Sequence, residues 1–344
     1  MKTKNVLRRG RSPWIATLAA GFVLMGILAG CATQPSAARK VNKAAGGQVV
    51  VYTAGPKNLA DQLARSFQRQ TGVRVLMFQS TTGKVLGRLE AESAHPRADV
   101  VILADWSAGD YLMKQGLTYP YRPHQDGNAI WRGPGGNYVA YSASALGITY
   151  NTLLVKRPPA AWSSLTHARF RDKVLMPDPA LSGSAVDFVG GYLQNHGDSL
   201  AFFRDLKANG AAVQGPNAEA LDQVVTGAKS VVLAGVDYMA YAARAKGEPV
   251  NIVYPSSGTV VNPRPVLILK SAPDLANAEK FENFLLSRAG QQIVVKDYLL
   301  PGVKGIPAGP HRAPLAKIRQ WSVDWSRLAR QKARLVEQID SLLG

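Results

Sequence analysis

Ser80-Thr81-Thr82-Gly83-Lys84 joins an apolar run, Val73 to Phe78, to the spacing Val85-Leu86-x-x-Leu89. The run reads as a short buried strand and the spacing as a helix. A strand that ends in hydroxyls and glycine and then opens a helix leaves backbone N–H groups unpaired. The helix dipole adds partial positive charge there, and the place suits an oxyanion. Ser80 or Thr81 can equally serve only as a helix cap. The loop is no Walker A element, because Gln79 and Val85 stand where that pattern needs other residues.

The same grammar repeats on either side of this stretch. Gln48 to Tyr52 is a strand closed by Thr53-Ala54-Gly55-Pro56, and Leu59, Leu63 and Phe67 mark a helix that Asn58 is placed to cap. Ala98 to Leu103 is a third strand, ending at Ala104-Asp105-Trp106 before another helix. This order, βαβαβα, predicts an α/β fold with a parallel sheet. Ligands of such sheets sit beyond the carboxyl ends of the strands, where Thr53, Ser80 to Gly83 and Asp105 all fall.

Further on, Tyr138 to Tyr150 reads as extended. Lys173 to Met176 is a strand that leads through Asp178-Pro179 to Ser182-Gly183-Ser184 and a helix, a second loop of the oxyanion kind. Ser230 to Gly235 delivers Asp237, Tyr238 and Tyr241 to the start of a helix. Val250 to Tyr254 and Val266 to Lys270 are strands. Val323 to Leu343 is an amphipathic basic helix whose Leu328, Leu335, Ile339 and Leu342 are expected to pack on one lobe.

The chain has 344 residues, enough for two lobes, and 46% of them are apolar, so a sizeable core is expected. Its net charge is +18. Five of those charges (Lys2, Lys4, Arg8, Arg9, Arg11) lie in the first 30 residues, leaving +13 beyond them. That balance favours anionic partners. No basic run interleaved with aromatics is present, so nucleic acid is not expected. Residues 1–30 read as an export signal: a basic start, then an apolar stretch from Trp14 to Leu28 too short to span a membrane. The stretch ends Leu28-Ala29-Gly30-Cys31, and Cys31 is the only cysteine, so no internal disulfide can form. Residues 31–46 read as a flexible tether.

Leu28 to Cys31 resembles the lipobox of bacterial lipoproteins, which implies a lipid on Cys31. The body resembles the substrate-binding proteins of bacterial ABC importers, in the group related to ferric-iron, phosphonate and thiamine binders. The resemblance rests on Val50 to Ala54, Ser80 to Gly83, Ala98-Asp99-Val100, Asp178-Pro179 with Ser182-Gly183-Ser184, Asp237-Tyr238, Ala245 to Pro249, Val253-Tyr254-Pro255 with Gly258-Thr259, and Pro301. It implies a two-lobed type II periplasmic-binding fold with the ligand in the cleft. Lobe one would be 47–143 plus 262–308, and lobe two 144–261 plus 309–344. It also implies a lipid-anchored periplasmic location and partnership with an ABC permease and its ATPase.

The ligand expected from these residues is a small anion of the phosphonate or organophosphate type. Its candidate contacts are Thr53, Ser80, Thr81, Thr82, Gly83, Ser182, Gly183, Ser184 and Tyr238, with Asp105 and Asp237 placed to take an amine. Ferric iron with a helper anion is the alternative, through Tyr141, Tyr238 and Tyr241. The resemblance associates ferric binders with a histidine, a carboxylate and two adjacent tyrosines. Here the first loop lacks histidine and the tyrosines stand three apart, a spacing that still shares a helix face. The five histidines form no cluster. No catalytic, zinc or nucleotide motif is present, so neither an enzyme nor a cofactor is expected.

Overall fold

A computed structural model describes residues 46–124 and 126–344. The expected signal, Cys31 and the expected tether up to residue 45 lie outside the described residues. In chain order the elements are β1 (Gln48–Thr53), α1 (Lys57–Thr71), β2 (Arg74–Gln79), α2 (Thr82–Ala91), β3 (Val100–Ile102), α3 (Trp106–Lys114) and β4 (Thr118–Tyr119). Then come β5 (Val139–Asn151), β6 (Val174–Met176), α4 (Gly183–Asn195), α5 (Ala201–Ala208), β7 (Ala212–Val213) and α6 (Asn217–Val225). The last are β8 (Val231–Val236), α7 (Asp237–Ala245), β9 (Val250–Val253), β10 (Val261–Leu269), α8 (Leu275–Leu286), α9 (Arg288–Lys296), β11 (Leu300–Pro301) and α10 (Trp325–Leu343).

β1 pairs in parallel with β2 and β3, as the opening βαβαβ order predicts. The sheet as a whole is mixed rather than parallel, because β10 lies antiparallel to both β3 and β5. β5 makes two lobes out of one chain. Its Val139–Ala145 half pairs with β10, and its Leu146–Asn151 half pairs with β8 and β9. All 13 of its residues are buried, which suits a strand passing between two cores. β10 returns beside it as the second crossing strand and is longer than its apolar tail alone suggests. Pro263 and Pro265 flank Arg264 in it, and the register shifts there. Proline cannot donate to a ladder, so an inner strand accommodates it at a bulge.

Each lobe owns its core. In the first, Leu59, Leu63 and Phe67 of α1 pack with Val49, Val51, Phe281 and Leu285, and Phe67 meets Phe281 edge-on at 5.0 Å. Burial of each such side chain contributes about 1.5–3 kcal/mol. α1 starts one residue before Asn58, which bonds Asp297 across the lobe at 3.0 Å instead of capping the helix. In the second, Trp162, Phe188, Phe203 and Leu233 form a core that α10 joins through Leu328, Leu335, Ile339 and Leu343. Among the described residues no helix is long and apolar enough to cross a membrane.

Candidate functional site

The crossing strands carry a polar face inside an otherwise apolar sheet. Ser142 stands opposite Arg264, and Ser144 opposite Asn262, across the β5–β10 ladder. Opposed residues on one face of a sheet lie about 5 Å apart at Cβ. All four are buried. The Ser142 and Ser144 hydroxyls, the Asn262 Oδ1 and the Arg264 Nε have no hydrogen-bond partner among the described residues. A buried polar group left unpaired costs roughly 1–3 kcal/mol, which makes these four the candidate floor of a polar site. Arg264 is aimed by a bond from its Nη2 to the Ala54 carbonyl at 3.2 Å, and its guanidinium lies 5.6 Å from the Tyr238 ring centroid. Burial pushes the Tyr238 phenol above its usual range, although the Arg264 charge pulls the other way.

Helix starts and strand ends carry the other candidate groups. Thr81 caps α2, accepting from the Lys84 amide at 3.4 Å, and Thr82 accepts the Ala104 amide at 3.2 Å. Asp105 caps α3, accepting from the Ala108 amide at 3.0 Å. Ser182 caps α4, accepting from the Ala185 amide at 3.2 Å. Thr53 accepts the Gly55 amide at 2.9 Å. Four of the candidate hydroxyls and one carboxylate thus have local backbone duties, as capping chemistry allows. Ser182 also donates to Asn217 Oδ1 at 3.1 Å, while Asn217 Nδ2 donates to Ser184 at 3.2 Å. The two serines and Asn217 form a hydroxyl–amide cluster where α4 and α6 both begin.

The structure joins some candidates across the lobes and separates others. Thr81, Thr82, Gly83 and Gly183 line one cavity of about 540 Å³, together with Ser107 and Lys332. A Cβ on Gly183 would lie 2.4 Å from Asp105 Oδ2, so the second lobe touches the first there. The Ser80 amide bonds the Thr53 carbonyl at 3.0 Å, which ties the first two loops together. Asp237 is engaged elsewhere. Its fully buried carboxylate pairs with Arg312 and accepts from Tyr254 at 2.9 Å and from the Tyr238 amide at 2.8 Å. It is not free for a ligand amine.

The tyrosines divide as well. Tyr241 contacts the Tyr254 hydroxyl at 3.2 Å and accepts the Ala313 amide at 3.2 Å, inside the Arg312 network. Tyr238 faces Arg264 instead, and a Cβ on Gly55 would lie 3.2 Å from the Tyr141 hydroxyl. The shared-face spacing of Tyr238 and Tyr241 therefore does not bring their hydroxyls to one partner set. Among the described residues no group of three or more His, Cys, Asp or Glu side chains is placed to hold a metal.

Sequence reasoning passed over Ser142, Ser144, Asp187, Asn217, Asn262, Arg264 and Lys332. A faint signal existed for some of them. Ser142-Ala143-Ser144 puts hydroxyls at alternate positions of a buried strand, and Pro263-Arg264-Pro265 sets a charge inside another. Nothing local marked Lys332 on its basic helix.

Residues 95–328 match the family model described as bacterial extracellular solute-binding protein. The chain is 26% identical over 284 residues to a putative 2-aminoethylphosphonate-binding periplasmic protein of Salmonella typhi, covering 77% of this chain and 81% of that protein. It is also 26% identical over 313 residues to the major ferric iron-binding protein of Neisseria meningitidis, covering 84% and 92%. In fold it is similar to the periplasmic binding protein AfuA of Actinobacillus pleuropneumoniae, solved with exogenous fructose-6-phosphate bound. The TM-score is 0.79 at 22% identity, over 86% of this chain and 98% of that one.

Proposed function

The chain belongs to the bacterial extracellular solute-binding proteins, and from that membership we propose that its cleft captures a small oxyanion of the phosphonate or organophosphate type. The family membership makes it the binding component of an ABC importer rather than an enzyme. One observation carries the ligand class. Arg264 and Ser142 face each other across the ladder of the strands that join the lobes, and Arg264 Nε and Ser142 Oγ are both buried without a partner among the described residues. A guanidinium and a hydroxyl are donors, and an anion with several acceptor oxygens meets both. Ser144, and the Ser184–Asn217 cluster at the starts of α4 and α6, supply further donors of the same kind. Similarity to the Salmonella relative supports the reading.

Calorimetry on the purified protein tests it, against phosphate, alkylphosphonates, 2-aminoethylphosphonate, phosphate esters and ferric citrate. A phosphonate or phosphate ester is expected to bind in the presence of a chelator. Loss of a hydrogen bond to a charged partner costs roughly 1.5–3 kcal/mol, so Arg264→Met should weaken it by about 10- to 150-fold. Binding of ferric citrate alone, with a visible tyrosinate colour lost in Tyr238→Phe, would replace this reading with iron. The similarity to the Neisseria relative makes iron the second reading.

Lipid on Cys31 would hold the domain at the membrane surface beside the permease, outside the cytoplasm. In detergent phase partition the wild-type protein should enter the detergent phase and Cys31→Ser the aqueous phase. Equal partition of the two would end the lipoprotein reading.

A further inference from the structure

The C-terminal helix does more than cover the second lobe. One side of α10 buries Leu328, Leu335, Ile339 and Leu343 in that lobe's core. Gly190 of α4 permits the approach, since a Cβ there would lie 2.8 Å from Leu328. Another side meets the first lobe. Ser326 hydrogen-bonds Asp110 of α3 at 3.3 Å, and two turns on Lys332 Nζ donates to Asp105 at 3.2 Å. Ala329 and Ala333, both small, line the 540 Å³ cavity beside it.

Lys332 meets a carboxyl pair drawn from both lobes. Asp105 caps α3 and Asp187 lies in α4, both are fully buried, and the Ser107 hydroxyl reaches them at 3.0 and 3.4 Å. Each carboxyl keeps one oxygen, Oδ2, without a partner among the described residues. An ammonium has three hydrogens to give, and the bond to Asp105 uses one of them. Burial works against a charge on Asp105, but the Lys332 ammonium beside it holds its carboxyl below the usual range. Burial and the Asp105 charge push Asp187 well above that range. The set brings two buried carboxyls and one ammonium together where the two lobes touch. Capping accounts for Asp105 alone; two buried carboxyls side by side suit a cation with hydrogens to donate.

We propose that Asp105 and Asp187 form an ammonium-binding subsite of the cleft, filled here by the chain's own Lys332 and open to the primary ammonium of a ligand when that side chain withdraws. Lys332 is then a specificity-determining residue. While it is in place its ammonium occupies the position a ligand amine would take beside Asp105. The assignment deepens the amine role that the sequence suggests for Asp105, rests on the reading of the cleft as the ligand site, and uses none of the oxyanion donors.

Rescue of a Lys332→Ala variant tests the subsite without any phosphonate. Methylammonium should raise the Tm of the purified K332A protein saturably, by about 3 °C at roughly ten times its dissociation constant. Tetramethylammonium has the same charge and no N–H, and should not. Wild-type protein should respond to neither, and K332A with Asp105→Asn should lose the response. Equal shifts with both cations, or none with methylammonium, would overturn the proposal. If K332A does not fold, wild-type protein labelled on its lysine side-chain nitrogens gives a second test. A held ammonium exchanges its protons slowly, so a proton–nitrogen correlation peak should be visible at neutral pH, vanish in Lys332→Arg and move in Asp187→Asn. A peak that ignores Asp187→Asn, or no peak from Lys332, would equally overturn it.

Discussion

Arg312→Met should cost about 3–5 kcal/mol of folding stability, because it leaves the buried Asp237 carboxylate without its cation. Both side chains of the pair are fully buried. Arg312 is held on every side: its Nε donates to the Tyr298 carbonyl at 2.5 Å, its Nη1 to the Ala313 carbonyl at 2.7 Å and its Nη2 to Asp237. It ties the segment that leads into α10 to the first turn of α7, on which Tyr238 sits. Burial alone drives the Asp237 carboxyl upward, and Arg312 is the main opposing charge. Without it the carboxyl must either take up a proton or stay charged and unsolvated, and both are costly. A domain is stable by only about 5–15 kcal/mol, so the loss is a large share. Adding Asp237→Asn to Arg312→Met should recover part of it, since the charge is then gone. Urea denaturation of the wild type, both single variants and the double variant gives the coupling. An Arg312→Met midpoint close to wild type would show that the pair does not carry this load.

Gly183→Ala is the second large effect, and it should fall on closure rather than on folding. A Cβ at this position would lie 2.4 Å from Asp105 Oδ2 on the opposite lobe. Asp105 cannot easily give way. Its other oxygen accepts from Ser107, the Ala108 amide and Lys332 at 3.0, 3.0 and 3.2 Å. Forcing an added methyl into a packed contact costs about 1–3 kcal/mol. A contact between lobes is lost when they part, so if ligand binding requires their closure the cost is expected to come off ligand affinity, by roughly 5- to 150-fold. Small-angle scattering should report a larger radius of gyration for G183A. Gly83→Ala provides the contrast, because a Cβ there meets nothing within 4 Å and should leave the radius unchanged. An unchanged radius and affinity in G183A would mean that the interlobe contact at Gly183 does not govern closure.

Both predictions depend on pairs that no local pattern announces. Arg312 meets Asp237 across 75 residues of sequence, and Lys332 meets Asp105 across 227. The sequence placed Asp105 and Asp237 alike, each at the end of a strand and the start of a helix, and treated both as free for an amine. The fold separates them. Asp237 is neutralised by an arginine that comes from outside any regular element, while Asp105 sits on the closure line with a second carboxyl opposite. The candidate hydroxyls were legible because a strand that gives way to a helix leaves amides to cap, and serine and threonine do that locally. The strongest donor was not legible. Arg264 reads as an ordinary charge between two prolines until the fold buries it opposite Ser142 and bonds it to the Ala54 carbonyl.

The sequence by itself determined the alternation of strands and helices, helix starts near Ser80-Thr81, Asp105 and Ser182 to Ser184, and the amphipathic closing helix. These follow from periodicity and capping, which act over a few residues along the chain. Only the tertiary structure decided that β5 and β10 cross antiparallel with a polar face between them. It alone decided that α10 reaches both lobes and that Lys332 lies against Asp105 and near Asp187. Those outcomes depend on which apolar faces can be buried together at once, and a buried charge takes whatever partner that packing brings within reach.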